Sequence, residues 1–238
     1  MFYQRLGEIP AKRHVQFRRP DGSLYREEVM GVAGFAGIQS ILYHHHQPTR
    51  LLRAEDLGDV SVKYADFGAL RHRHFLTRDV PAGGDGVAGR TVLIGNQDIT
   101  MAVARPTESM SYYYRNGQSY ECIFVHEGTG TLRSVFGRLP FGPGDYLVIP
   151  YSTTYQLEYD TPHNRLVVFE TRDQITTPQR YRNWYGQLLE HAPFCERDFR
   201  TPDALETFDA FGEFEVRVKV RDRLTAHWHD HHPSGVVR

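Results

Sequence analysis

The sequence has few of the features that mark exported, membrane-bound or nucleic-acid-binding proteins. It contains two cysteines, Cys122 and Cys195, which cannot build a disulfide framework. No apolar run approaches the roughly 20 residues of a membrane helix, and the opening residues MFYQRLGEIPAKRHVQF have no signal-peptide core. The 28 basic residues nearly balance the 29 acidic ones. We therefore expect a cytoplasmic protein that binds neither nucleic acid nor membrane.

Motifs of common enzyme classes are absent as well. The chain has no Gly-x-Ser-x-Gly elbow, no phosphate-binding loop ending in Gly-Lys-Ser/Thr and no dinucleotide-binding fingerprint. Cys195 follows His191 by four residues, a spacing at which an imidazole could activate the thiol on a helix, but Pro193 interrupts that geometry. We interpret Cys195 as an inert thiol, and the sequence gives no candidate catalytic residue.

Aromatic and turn-forming residues are plentiful, and they favour short strands joined by tight turns. The chain has 14 tyrosines, 14 phenylalanines, 21 glycines and 13 prolines. Strands are predicted on both sides of the turn 95–98, at 111–114, 121–126, 131–136, 146–150, 153–159 and 165–170. This spacing predicts an all-β fold, a cupin or jelly-roll double-stranded barrel, over residues 91–238. Residues 1–90 are expected to form an extended N-terminal arm with short strands that packs on the barrel.

The last third of the chain carries two further predicted elements. Tyr181 to His191 is the best candidate for one of the one or two short helices that we expect, although Gly186 interrupts it. Glu213 to Arg221 is the last strong strand. Phe214, Val216, Val218 and Val220 alternate there with Glu215, Arg217 and Lys219, which places apolar groups on one face and charges on the other.

The segment from Tyr112 to Tyr159 resembles a cupin that has lost its metal ligands. A strand from Glu121 runs into the turn 127–130, and Pro143-Gly144-Asp145 precedes the second motif. Metal-binding cupins place two His and a Glu on the first motif and a His on the second. Here the first motif keeps only Glu121, and the second His position falls near Tyr155. One carboxylate cannot hold Fe(II), so we predict no metal ligand and no cofactor-binding residue in this barrel.

The 13 histidines are the alternative candidates for metal ligands. His44, His45 and His46 are consecutive, so at most two of them can face one site on a strand. The remaining pairs share a strand face at a spacing of two residues; they are His72 with His74, His227 with His229, and His229 with His231. No carboxylate or cysteine partner is expected to share the strand face of these pairs, and neighbouring arginines repel a cation. Structural or interface hydrogen bonding is the better interpretation.

Many segments in order resemble the N-terminal portion of homogentisate 1,2-dioxygenases of the bacterial type. The resemblance runs from Gly7 to about Pro233 and includes Gly7-Glu8-Ile9-Pro10, Lys12-Arg13-His14, Gln16 to Gly22, Tyr25 to Gly34, Tyr43-His44, Pro48-Thr49, Leu70 to His74, Phe124 to Gly130, Arg138 to Phe141, Gly144-Asp145-Tyr146, Tyr181-Arg182-Asn183, Tyr185 to Pro193 and His231-His232-Pro233.

The resemblance implies a parent enzyme of tyrosine and phenylalanine catabolism. Such enzymes are extradiol-type dioxygenases that use Fe(II) and O2 to convert homogentisate to maleylacetoacetate, and they hold the iron with two His and one Glu of a second, C-terminal cupin. We expect that catalytic cupin to be absent from this chain, which alone should be inactive. A partial sequence, a truncated gene and a stand-alone remnant all remain open. The intact enzyme is expected to be a homo-oligomer.

A metal-free binding or regulatory module is the alternative. Five tyrosines could line a pocket for a small aromatic acid at the barrel mouth; they are Tyr112, Tyr113, Tyr114, Tyr151 and Tyr155. Arg115 would then pair with the carboxylate of the ligand.

Overall fold

The computed structural model describes residues 16–65, 68, 69 and 71–237, which are built almost entirely from strands. The first 15 residues of the predicted arm lie outside the described part of the chain, as does Leu70 of the resemblance. The strands are β1 (Arg26–Ala33), β2 (Ala36–His44), β3 (Arg53–Asp59), β4 (Arg90–Gly95), β5 (Ile99–Ala104), β6 (Tyr113–Asn116), β7 (Tyr120–Glu127), β8 (Gly130–Ser134), β9 (Gly137–Phe141), β10 (Tyr146–Ile149), β11 (Thr154–Tyr159), β12 (Arg165–Thr171), β13 (Phe211–Val220) and β14 (Arg223–His231).

Two sheets face each other across the main core. The small sheet has the order β10-β7-β12-β5-β4, and the large sheet has the order β3-β14-β13-β6-β11-β8-β9. From β5 to β13 the chain crosses from one sheet to the other at each step except in the β8–β9 hairpin, as in a jelly roll. The described strand pairs are antiparallel except for β13 with β6. The core joins Ile123 and Leu166 of the small sheet to Tyr155 and Leu157 of the large one. The predicted all-β, jelly-roll cupin fold is confirmed.

Alternation along the strands decides which side chains enter the barrel. In β7, Glu121, Ile123 and Val125 are fully buried, whereas Cys122 and Phe124 between them are only partly buried. This is the period of two that a pleated strand imposes. Cross-strand pairing then carries the inward face from one strand to the next, so Glu121 of β7 meets Glu170 of β12.

The β1–β2 hairpin forms a separate two-stranded sheet outside the barrel. It packs against the large sheet through Leu42, which lies in a small apolar cluster with Val135 and Val236. Backbone hydrogen bonds tie its end to the last described residues, from Val237 N to the carbonyl of Tyr43 and from His45 N to the carbonyl of Gly235. β3, which also belongs to the predicted arm, pairs with β14 at the edge of the large sheet.

The predicted alternation of β13 is present, but its charged face points into the barrel. Val216 and Val218 pack with Tyr113 on the outer side of the large sheet. On the other face, Lys219 reaches Glu170 in the barrel interior, with 2.6 Å between Nζ and Oε2. Both faces of this strand are therefore covered, because the hairpin layer lies on one side and the barrel on the other.

The helix predicted for Tyr181 to His191 is wrong. A single 3-10 turn, Gln179–Tyr181, is followed by a tight loop closed by the bridge between Arg182 and Leu188. Asn183 explains the difference, because its Oδ1 accepts the backbone N–H groups of Tyr185 and Gln187 at 2.9 and 3.0 Å. Gly186 then takes a left-handed φ of 81°. Side-chain bonds of this kind compete with helical ones.

The prediction that the strand at Glu213 to Arg221 is the last strong one is also wrong, because β14 follows it directly. The connecting residues Arg221 and Asp222 have φ values of 50° and 58°, as in a type I′ turn. That turn usually carries Asn-Gly, so this sequence gave no hairpin signal. Gln118 holds it instead, with Oε1 accepting the N–H of Asp222 at 2.7 Å and Nε2 donating to its carboxylate at 2.6 Å.

No helix in the described residues has the length and apolar character needed to cross a membrane.

Candidate functional site

One end of the barrel interior holds charged and polar side chains in place of apolar ones. Each of these side chains points into the barrel because it lies on the inward-facing side of its strand. We call this group the interior ionic cluster; its members are Arg90 (β4), Asn116 (β6), Glu121 (β7), Tyr155 (β11), Glu170 (β12) and Lys219 (β13).

Arg90 is the centre of the cluster. Its Nη1 donates to Oε1 of Glu121 at 2.5 Å and to Oε1 of Glu170 at 3.1 Å, and its Nη2 donates to the hydroxyl of Tyr155 at 3.1 Å. Nε donates to the carbonyl of Gly86 at 2.8 Å. Only 7% of the Arg90 side chain is exposed. The guanidinium is thus buried with protein acceptors on each of its three nitrogens.

Glu121 is fully buried and has partners on both oxygens. Besides Arg90, its Oε1 accepts from Nδ2 of Asn116 at 3.3 Å, and its Oε2 accepts the hydroxyl of Tyr155 at 2.7 Å. Glu170 accepts from Arg90, Asn116 and Lys219. Two carboxylates and two cations therefore balance each other in a largely buried region, which is the condition under which buried charges are tolerated.

The ionisation of the cluster follows from this geometry. Burial on its own lowers the pKa of Arg90, but the carboxylates of Glu121 and Glu170 outweigh it and hold that pKa well above its ordinary value. For Glu170, burial raises the pKa, and the charges of Arg90 and Lys219 overcome it to leave the pKa below the usual range. Burial, with the Glu121 carboxylate, keeps the pKa of Tyr155 well above that of a free phenol. These shifts favour a charged Arg90, an ionised Glu170 and a neutral Tyr155.

The residues at the two cupin ligand positions do not fit a metal. Glu121 and Tyr155 both bind Arg90, so a fixed cation already lies between them. A divalent ion there would be repelled by the guanidinium, and it would find the Glu121 oxygens already engaged. Across residues 16–65, 68, 69 and 71–237, no three His, Cys, Asp or Glu side chains are placed to hold a metal ion.

A cavity of about 210 Å³ opens at the barrel mouth next to the cluster. Lys219 and Glu170 form its inner wall, and Arg172 and Asp222 lie nearer to its rim, with 3.7 Å between Arg172 Nη2 and Asp222 Oδ1. Tyr64 flanks the opening and donates its hydroxyl to the carbonyl of Asn96 at 2.8 Å. The cavity is polar and contains charges of both signs.

The five tyrosines proposed to line a pocket are not brought together. Tyr114 and Tyr155 meet edge to face in the barrel core. The others separate: Tyr112 bonds Asp85, Tyr113 bonds His232 on the outer side of the sheet, and Tyr151 is 43% exposed beside Tyr120. Arg115 also points outward, with Nε donating to Thr154 at 2.8 Å. The predicted tyrosine and Arg115 pocket is therefore not formed.

Histidines do converge on the outer side of the large sheet. A cavity of about 20 Å³ between this sheet and the β1–β2 hairpin is lined by five imidazoles, those of His44, His46, His229, His231 and His232. Arg115 and Glu28 line the same cavity. His45 does not, which agrees with the prediction that at most two of the three consecutive histidines face one site. We call these five imidazoles the outer histidine cluster.

The other sequence candidates stay apart from both clusters. His72 and His74 are exposed. Cys195 precedes the 3-10 turn Glu196–Asp198, and its N–H donates to Asp198. Among the described contacts, none joins His191 to Cys195.

Sequence analysis missed Arg90, Glu170 and Lys219. A signal was present for Glu170, because it continues the buried alternation of Leu166 and Val168 along β12. Arg90 gave none, since it lies at the end of a glycine-rich loop and its partners are 31 and 80 residues away.

Comparison with known proteins adds a longer relative. The chain is 36% identical over all 238 residues to a Saccharolobus solfataricus protein named "Putative dioxygenase SSO1533", and it spans 61% of that protein's length. No family model matches the chain. At the level of sequence, then, this protein is similar to a dioxygenase-type protein that has further residues outside the match.

Solved structures also align with part of the chain. KdgF from Halomonas sp. aligns with 44% of this chain and 96% of its own, at 13% identity and a TM-score of 0.37. A cupin-2 domain-containing protein from Shewanella frigidimarina aligns with 35% of this chain and 79% of its own, at 16% identity and a TM-score of 0.32.

Proposed function

We propose that this chain is the scaffold portion of an Fe(II)-dependent ring-cleaving dioxygenase that converts homogentisate and O2 to maleylacetoacetate. One observation carries the proposal: the cupin barrel in this chain holds a guanidinium between its two cupin ligand positions, which supports an iron site in another barrel. The activity is proposed from the ordered resemblance of segments and from the match of all 238 residues to a longer dioxygenase-type relative.

The proposed iron-bearing barrel and the barrel described here would have different roles in the intact enzyme. When bound in the intact enzyme, iron would supply the electron transfer between substrate and O2. The residues described here would supply a rigid barrel without open coordination positions, together with the hairpin and large sheet as surfaces for subunit contacts. We infer a homo-oligomer for the intact enzyme on the same grounds.

The test compares three samples supplied with homogentisate, Fe(II) and ascorbate: this chain, the full-length Saccharolobus relative, and that relative cut to the matched region. O2 consumption and maleylacetoacetate formation are expected only from the full-length relative. Metal analysis after desalting should find no iron in this chain. Stoichiometric iron, or ring cleavage by the chain alone, would overturn the assignment of the iron to another barrel.

The barrel-mouth cavity supports a second candidate, a metal-free module that binds a small aromatic acid. Arg172 and Lys219 could receive its carboxylate, and Tyr64 and Ile99 lie beside the opening. Calorimetric titration of the chelator-treated chain with homogentisate separates the two candidates. Saturable binding that is lost in Arg172→Ala and kept in Arg180→Ala, a change outside the cavity, would favour the module. If the titration releases no heat of binding, the binding module is ruled out and only the scaffold proposal remains.

A further inference from the structure

The outer histidine cluster joins parts of the chain that are distant in sequence. His44 ends β2, His46 follows it, and His229 and His231 lie on β14 with His232 directly after them. Strand pairing explains why the β14 pair faces outward, because His229 is registered with Phe214 on the face of β13 that also carries Val216. The cluster is thus the polar centre of the contact between the β1–β2 hairpin and the barrel.

Three of the five imidazoles have a carboxylate partner. His44 Nε2 lies 2.9 Å from Glu28, His46 Nε2 lies 2.7 Å from Asp209, and His231 Nδ1 lies 2.8 Å from Asp230. A proton on any of these rings would form an ion pair. Acid therefore does not by itself break these three contacts.

His229 and His232 have no carboxylate partner among the described residues. His229 Nδ1 donates to the carbonyl of Arg50 at 3.1 Å. His232 is fixed more tightly: Nδ1 accepts the N–H of Ser234 at 3.0 Å, so the ring proton must be on Nε2, 3.0 Å from the hydroxyl of Tyr113. Protonation of His232 would set two N–H groups against each other. This ring can stay in place only while it is neutral.

The surroundings would amplify such a charge. Arg115 lines the cavity, its charge lowers the pKa of His229 in addition to burial and the charge of His231, and its Nε donates to Thr154. The cationic or titratable groups on the packed elements are Arg19, His44, His45, His46, Arg50, Arg115, Arg133, His227, His229, His231 and His232, and the acidic ones are Glu28, Glu158, Glu206, Asp209 and Asp230. Arg133 already pairs with Glu158 and Glu206, which leaves three carboxylates for the cluster.

We propose that His229 and His232 form an acid-sensitive latch that holds the β1–β2 hairpin on the outer face of the large sheet, and that protonating them releases the hairpin. Release would break the backbone contacts of His45 and Val237 with Gly235 and Tyr43 and expose Leu42, Val135 and Val236. The barrel would remain folded, because neither its strand pairing nor the hydrogen bonds of the interior ionic cluster use these two rings. The ring of His232 meets the barrel strands on their outer face, at Tyr113 and Phe214.

The size of the effect follows from linkage. Burial, followed by the charge of the neighbouring His231, lowers the pKa of both rings from 6.5 to about 4. If release restores the ordinary value, the opening constant rises by up to roughly 30-fold per ring between pH 7.5 and pH 5, and by roughly 1000-fold for both. The stabilisation is complete above pH 6.5, declines as pH falls and is lost below about pH 4.

Amide hydrogen exchange, read residue by residue and corrected for its intrinsic pH dependence, tests the latch. The amides of His45 and Val237 report the hairpin contact, and those of Ile123 and Val168 in the barrel report global unfolding. Acidification from pH 7.5 to 5 should lower protection at the first pair by more than 100-fold while the second pair stays protected. Equal protection of His45 and Val237 at both pH values would overturn the proposal.

Variants add a second, independent readout. The double variant His229→Asn, His232→Asn keeps a donor for Arg50 and an acceptor for Ser234 but cannot titrate. Its hairpin protection should not change with pH, whereas His163→Asn, a change at an exposed loop histidine, should behave like the unmodified chain. Acid release that persists in a folded double variant would assign the effect to other groups. If the double variant lacks the hairpin contact at pH 7.5, the hydrogen exchange of the unmodified chain alone tests the proposal.

Discussion

Replacing Arg90 should lower the stability of the barrel more than breaking an exposed ion pair does. Arg90→Met keeps most of the apolar stem but removes the cation between Glu121 and Glu170. Glu170 retains Lys219 at 2.6 Å, while Glu121, fully buried, keeps only the neutral donors Asn116 and Tyr155. Breaking a buried pair in this way costs about 3–5 kcal/mol. For a chain of this length, that loss corresponds to a fall in Tm of roughly 6–20 °C.

Two comparisons separate charge from packing. In Arg90→Met, Glu121→Gln, the stranded charge is gone, so we expect the double variant to recover a substantial part of the loss. In Arg223→Met, the broken pair with Asp56 is more than half exposed on both sides, so the cost should stay below about 1 kcal/mol. Urea denaturation followed by circular dichroism measures all three. A loss for Arg90→Met no larger than that for Arg223→Met would refute the view that the guanidinium neutralises this interior.

Three further substitutions test other parts of the fold. Leu157→Ala, at a fully buried core position, should cost about 2–5 kcal/mol in urea denaturation, against less than about 0.5 kcal/mol for Leu57→Ala on the exposed side of β3. Gly137→Ala should cost more than about 2 kcal/mol, because Gly137 has a φ of 115° and a Cβ there would lie 2.3 Å from the carbonyl oxygen of Ala204; a stable variant would show that this segment can move away. Asn183→Ala should change global stability by less than about 1 kcal/mol but loosen the loop that carries the fully exposed Trp184, which lower fluorescence anisotropy of the indole would reveal.

Local patterns were sufficient for the barrel strands. Period-two alternation and glycine-rich turns locate β7, β8, β10, β11 and β12 to within a few residues, because both signals depend only on neighbouring residues. These local signals do not predict turns that are held by hydrogen bonds from a side chain. Asn183 closes a loop where the sequence predicted a helix, and Gln118 holds the Arg221-Asp222 turn from 104 residues away.

The candidate site was less predictable than the fold, because its residues are related only through strand pairing. Glu121 was recognised as the last cupin ligand, but the cation that occupies its neighbourhood comes from Arg90 at the other side of the small sheet. The outer histidine cluster combines the end of β2 with β14, although His44 and His229 lie 185 residues apart in the sequence (229 − 44). Spacing rules within one strand could pair His229 with His231, but they could not place His44 opposite them.

Both polar clusters show how residues typical of metal sites can serve packing instead. In the barrel, the guanidinium of Arg90 and the ammonium of Lys219 neutralise two carboxylates, so the fold needs no bound cation to bury them. Outside it, imidazoles are anchored through a ring nitrogen to a carboxylate, a carbonyl or a backbone N–H, which fixes their tautomers for hydrogen bonding between layers. The described part of the chain is therefore rich in histidine and glutamate without placing three His, Cys, Asp or Glu side chains together to hold a metal ion. The geometry of the barrel interior depends on this chain's own charges and not on a bound cation.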